Sequence, residues 1–145
     1  MSKEVIKKAA DTIADNTVKN KTYNNEVCVL TLNGEGGYPY SSVITPAKSD
    51  GIKTICFATN AESGKLKCLK KNAKASVCFC SGDYNISLEG DIEIISDPAI
   101  KKEMWYDGLE HHHTGADDPT YFVLKFTTKN YNLFFVTGEM AQGTL

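Results

Sequence analysis

Glu26-Val27-Cys28-Val29-Leu30-Thr31-Leu32, the cluster Asn33-Gly34-Glu35-Gly36-Gly37, and the run from Tyr38 to Ala47 decide the fold between them. The first run is rich in Val and Leu, and the Asn/Gly cluster is a strong turn signal that feeds the second run. Lys48-Ser49-Asp50-Gly51 is a second turn, leading at once into Lys53 to Ala58. Connections this short join antiparallel neighbours, because a parallel crossover needs a dozen or more residues. Three consecutive antiparallel strands are therefore expected.

Outward from this centre, Val5, Ile6, Ala9, Ala10, Ile13 and Ala14 recur at helical spacing between Ser2 and about Asn16. Downstream, Ser63 can cap a short basic helix running to about Lys71, with Leu66, Cys68 and Leu69 as its apolar stripe and Asn72 as its stop. Ala75 to Cys80 and Asn85 to Ser96 read as strands, the second with Ile86, Leu88, Ile92 and Ile94 on alternate positions and Gly90 interrupting them. Asp97-Pro98 announces a helix, Asp as N-cap and Pro at the first position, expected to reach about His111. The last strand is Tyr121 to Thr128, resumed at Tyr131 to Val136. Six or so mostly antiparallel strands with inserted helices point to a mainly β (α+β) closed or partly closed barrel, since long apolar edges would otherwise stay unpaired.

The 145 residues suit a single domain spanning 1–145, and 41% hydrophobic with 23% charged residues is an ordinary globular balance. A net charge of −2 with interspersed signs argues against nucleic acid and anionic membrane as partners. All 16 basic residues are Lys, so an anion must be met by ammonium groups, backbone N–H and hydroxyls rather than guanidinium forks. No apolar run approaches the ~20 residues of a membrane span, and Met1 to Lys8 does not read as a signal peptide, so a cytoplasmic location is expected. Cys28, Cys56, Cys68, Cys78 and Cys80 form an odd set without metal-ligand spacing and are expected as reduced, mostly buried thiols.

The candidate chemistry lies in Phe57-Ala58-Thr59-Asn60-Ala61-Glu62-Ser63-Gly64-Lys65, which closes a strand and opens a helix. The Thr59 and Ser63 hydroxyls, the free N–H groups around Gly64 and the Lys65 ammonium can converge on an anion at a helix start, and phosphate is the natural ligand. The competing reading makes Ser63 a plain N-cap and Lys65 a solvated charge.

Tyr38-Pro39-Tyr40-Ser41-Ser42-Val43-Ile44, Phe57-Ala58-Thr59-Asn60 with Ser63 and Lys65, Leu69 with Asn72 and Ser76-Val77, and Leu88-Glu89-Gly90 with Glu93 together resemble the motif order of the pyridoxamine 5'-phosphate oxidase-like FMN-binding split barrels. Trp105, Gly115-Ala116-Asp117-Asp118-Pro119 and Tyr121-Phe122-Val123-Leu124 are similar to the general stress protein 26-like branch. The resemblance implies a six-stranded antiparallel split β-barrel with peripheral helices, a homodimer, and FMN in clefts between subunits. It places Lys65, Ser63 and Gly64 at the FMN phosphate, and Thr59 with Ala58 near it or the ribityl chain. Ser42, Val43, Ile44 and Thr45 run beside the ring, with Asn85 near the ring's polar edge and Trp105 a cofactor or packing residue. Where the oxidases have Ser-Arg-Lys, this chain has Ser63-Gly64-Lys65, and its tail, Thr137 to Leu145, lacks the oxidases' Trp and Arg, so oxidation of pyridoxamine phosphate is not implied.

The expected function is a flavin-dependent oxidoreductase in which FMN carries the chemistry, with NADH or NADPH as a plausible electron donor and no protein residue required as catalyst. The alternative is a non-enzymatic module that binds or senses flavin, heme or a deazaflavin. His111-His112-His113 reads as a surface helix end, since consecutive residues cannot easily close on one metal ion. Cys78 and Cys80 share a strand face and read as an inert buried pair. Asp117-Asp118-Pro119 reads as a turn feeding the last strand.

Overall fold

The computed structural model describes residues 2–145. The chain runs α1 (Ser2–Asp15), β1 (Cys28–Asn33), β2 (Pro39–Ile44), β3 (Pro46–Asp50), β4 (Thr54–Asn60), α2 (Gly64–Lys71), β5 (Lys74–Cys80), β6 (Tyr84–Ile95), α3 (Pro98–Met104), β7 (Tyr121–Phe135) and β8 (Met140–Thr144). All eight strands belong to one antiparallel sheet, ordered β2-β1-β5-β6-β7-β4-β3, with β8 added to β7. The sheet curls into a split barrel with helices at its periphery. Among the described residues, no helix is long and apolar enough to cross a membrane.

The alternation expected of half-buried strands is visible in β1, where Cys28, Leu30 and Leu32 are buried. They meet Val77 and Phe79 of β5, Ile86 and Leu88 of β6, Leu133 of β7 and Phe57 of β4 in the barrel interior. On α1, Val5, Ala9 and Ile13 recur every fourth residue, and that stripe packs onto the same core. Hydrophobic burial on one face of each element thus accounts for the closure of the sheet.

Five expectations require correction. The run from Tyr38 to Ala47 is two strands: β2 pairs with β1 from Cys28↔Ile44 to Asn33↔Pro39, whereas β3 turns away at Thr45 and pairs with β4. The third helix ends at Met104 rather than near His111. Trp105 is already extended, and Gly108 (φ 107°) leads into a single 3₁₀ turn, Leu109–His111. Residues 121–135 form one unbroken strand: Thr128 and Asn130 pair with Gly90 and Glu89 of β6, so the expected gap at Lys129 and Asn130 is bridged, and the buried Thr128 donates its hydroxyl to the carbonyl of Ile52. The eighth strand, β8, pairs with the far half of β7 and carries the strand count past six. The Cys expectation holds for Cys28 and Cys56, but Cys80 is exposed and Cys78 only half-buried, so those two are no buried pair.

Other local readings hold. Asp97 caps α3 by accepting from the N–H groups of Ala99 and Ile100. Gly90 sits at the register shift between Glu89 and Gly90, where a side chain would collide with the backbone. A Cβ there would lie 2.0 Å from the Thr127 carbonyl oxygen, whereas one on Gly82 would have nothing within 4 Å. Gly90→Ala should therefore lower unfolding stability by about 3 kcal/mol, and Gly82→Ala by under ~0.5 kcal/mol, in urea titrations of the two variants. Equal losses would contradict the register.

Candidate functional site

The site grows from the partner switch at Thr45. Pairing of β3 with β4 ends at Pro46↔Phe57, so the edge of β4 beyond Phe57 has no strand beside it, while β2 diverges along β1. The gap is a cleft of about 580 Å³ lined by Val43, Ile44 and Thr45 on one side and Ala58, Thr59, Asn60, Ser63 and Lys65 on the other. Its remaining wall comes from the segment after α3, including Tyr106, Leu109, His112 and His113, and Glu62 also reaches it.

At the start of α2, Ser63 occupies the N-cap position in extended geometry, but its hydroxyl makes no cap hydrogen bond. It shares a 3.0 Å hydrogen bond with the Thr59 hydroxyl instead, and Thr59 is buried. The first amides of α2 are thus left without the usual side-chain acceptor. The turn before them is held from behind, Ser63 N–H donating to Asn60 O, Glu62 N–H to Asn60 Oδ1 and Ala61 N–H to Thr120 O. Lys65 is half-buried and burial pushes its ammonium below the ordinary range. It forms no ion pair among the described residues, whereas Lys67, two residues on, is paired with Glu35. A desolvated, unpaired ammonium beside two hydroxyls and free helix amides is suited to an anion.

Of the residues singled out in the sequence, Val43, Ile44, Thr45, Ala58, Thr59, Ser63 and Lys65 share this cleft. Gly64 adjoins it, and the space where its side chain would begin faces the Tyr40 hydroxyl at 3.4 Å. The Ser42 hydroxyl is buried on the neighbouring strand with no hydrogen-bond partner. Asn85 and Trp105 do not line the cleft. Asn85 stands on the outer face of the sheet, accepting from the Cys78 thiol at 3.3 Å and paired across strands with Phe134. Trp105 packs edge-on against Tyr121, ring centroids 5.4 Å apart, and lies over the patch formed by Ile95, Tyr121 and Val123.

His113 was missed by sequence reasoning, which placed all three histidines on a surface helix end. His111 and His112 are exposed, but His113 is only 6% exposed, wedged between Trp105 and Tyr121. Its Nδ1 is buried without a hydrogen-bond partner and faces Asp118 Oδ2 at 3.9 Å, close enough for Coulomb attraction but too far for a hydrogen bond. The Thr114 and Thr120 amides and the Thr120 hydroxyl hold Asp118 well below the usual carboxylate range. Lys101 of α3 fastens this loop by donating to the Asp118 carbonyl at 2.9 Å, while the Tyr121 hydroxyl donates to the Lys101 carbonyl at 2.8 Å.

A larger crevice, about 860 Å³, lies between α3 and the β3–β4 hairpin. Lys48 is paired there with Glu103 at 2.8 Å, and Lys125 stands opposite Glu93 in the β6–β7 register. The smaller cleft is the better candidate because it gathers the unpaired Lys65, two hydroxyls and the uncapped amides of α2.

The pyridoxamine 5'-phosphate oxidase family matches residues 15–135. Similar solved structures include a Clostridium acetobutylicum protein related to general stress protein 26, of the pyridoxinephosphate oxidase family. It is 27% identical at a TM-score of 0.81, over 98% of this chain and 95% of that one. General stress protein 26 of Bacillus anthracis str. Sterne is 18% identical at a TM-score of 0.75, over 95% and 98% of the two chains. A heme binding protein of Mycobacterium smegmatis is 16% identical at a TM-score of 0.72, over 97% of this chain and 57% of that one. No curated protein is a significant match. With the family matched along most of its length and the split barrel in place, this chain belongs to the pyridoxamine 5'-phosphate oxidase family.

Proposed function

We propose that the cleft between β2 and the start of α2 binds FMN and that the protein is an FMN-dependent oxidoreductase. The observation that carries this reading is Lys65: half-buried, unpaired among the described residues, and set beside the Thr59 and Ser63 hydroxyls and the uncapped amides of α2. These donors fit a phosphate, and the apolar edge of Val43 and Ile44 fits a ring system. FMN, when bound, supplies hydride and electron chemistry, so the protein's part is to hold the phosphate, orient the ring and limit water. A second reading, heme, is favoured by the imidazoles of His112 and His113 on the same wall.

We also infer that the functional unit is a homodimer. Val43 of β2, Phe134 of β7 and Met140 of β8 are exposed at strand positions, and Val27 and Val136 are exposed just beyond strand ends; exposed apolar side chains of this kind suit burial against a second copy. Val43 belongs both to this set and to the cleft, so a second copy seated there would help to close the cofactor site. The same placement would bring Asn85, paired across strands with Phe134, toward a partner's cleft.

Purified protein mixed with FMN should take up one yellow chromophore per chain, which bleaches with NADH or NADPH and recovers in air; hemin should bind more weakly. Failure to bind FMN would remove the proposal, and tight hemin binding without FMN uptake would select the second reading. In fluorescence titrations Lys65→Ala should weaken FMN binding roughly ten- to hundredfold, the worth of a charge-assisted contact. Unchanged affinity would exclude Lys65 from the site. By light scattering, wild type should have twice the chain mass and Phe134→Glu the mass of one chain, with lowered FMN affinity. A wild-type monomer would contradict the dimer.

A further inference from the structure

The cleft contains one lysine, in a chain without arginine, yet two imidazoles share its wall. His113 is distinctive because it is buried, its Nδ1 is unpartnered, and a carboxylate is fixed 3.9 Å behind it. The residue lines the cleft while its Nδ1 faces Asp118, so the imidazole stands at the boundary between that carboxylate and the ligand space.

We propose that His113, backed by Asp118, is a protonatable anchor for the phosphate of the bound ligand, adding a second positive charge to that of Lys65 when the ligand is in place. This rests on the FMN reading above. An imidazole with both nitrogens protonated donates in two directions, toward the carboxylate on one side and toward an anion on the other. Without ligand, burial pushes His113 below its ordinary value, and Asp118 acts against burial. The groups facing His113 are Asp118 on its own loop, His112 beside it, Lys101 of α3, and the rings of Trp105 and Tyr121. Lys65 and Glu62 share the cleft with it. His112 and Lys101 oppose protonation, while Asp118 favours it. A phosphate dianion entering the cleft tips this balance toward the charged imidazole.

The linkage has a definite sign. A group whose pKa is higher in the complex than in the free protein takes up a proton on binding, so affinity rises as pH falls through that window. For one proton the limit is about tenfold in affinity per pH unit. Riboflavin lacks the phosphate and should show no such uptake.

The test is a set of fluorescence titrations between about pH 6.5 and 8.5, a range spanning the ordinary imidazole pKa, with FMN and riboflavin as probes. Wild type, His113→Asn, His113→Gln and the exposed control His111→Asn are compared, with melting curves confirming that each is folded. Wild type and His111→Asn should bind FMN more tightly as pH falls. Both His113 variants should bind FMN more weakly at the acid end with a flatter profile, and riboflavin should be flat throughout. Ionisation of the FMN phosphate affects every protein equally, so the difference between profiles isolates the imidazole. Parallel FMN profiles for wild type and both His113 variants, or an equal pH dependence with riboflavin, would overturn the proposal while leaving the FMN reading intact. A wild type that binds no FMN would overturn both.

Discussion

One strand governs this structure. β7 is fifteen residues long and pairs with β6 over most of its length, but its other edge is divided: Tyr121 to Thr127 pair with β4, and Asn130 to Phe134 pair with β8. The sheet forks there, β8 standing off the path that runs from β2 to β3. The β4–β3 branch curls toward β2, the opposite end of the sheet, and the chain joins the two through the single residue Thr45. The cleft is the gap this geometry leaves. Its position follows from strand pairing, and Val43 to Thr45 and Ala58 to Asn60 flank it because they are where pairing partners change.

Electrostatics then separates this cleft from the larger crevice beside α3. In the crevice Lys48 is paired with Glu103. Lys65 and His113 face the cleft without hydrogen-bonded acid partners, and both are displaced by burial toward their neutral forms. Burying cationic groups without anions opposes folding, and a ligand that supplies the missing negative charge relieves that opposition. The Thr59–Ser63 hydrogen bond diverts the hydroxyl that would otherwise cap α2, leaving backbone donors for the same ligand.

Much of the barrel was legible from periodicity, because its elements bury one face against one core. Val5, Ala9 and Ile13 announce α1, and the alternation of Ile86, Leu88, Ile92 and Ile94 announces β6. Legibility failed where a residue's environment is set by chain segments far away. Lys129 and Asn130 read as a break until β6 and the chain's last residues are placed beside them. β8 carries little apolar alternation and is held by backbone pairing with β7. Met104, Trp105, Tyr106 and Leu109 imitate a helical stripe, but Trp105 turns onto Tyr121 and Gly108 adopts a left-handed conformation. Residue types alone singled out the turn at 59–65 as a candidate anion site, with a plain N-cap as the competing reading. His113 was not, since nothing local distinguishes it from His111 and His112; only the fold sets Trp105, Tyr121 and Asp118 around it.

The most direct measurement is a crystal structure of the protein grown with FMN. The account predicts the phosphate within hydrogen-bonding distance of Ser63 and Lys65 at the start of α2, and the ring along Val43 to Thr45 where two chains meet. FMN seated in the crevice between α3 and the β3–β4 hairpin, or a phosphate that touches neither Ser63 nor Lys65, would contradict it.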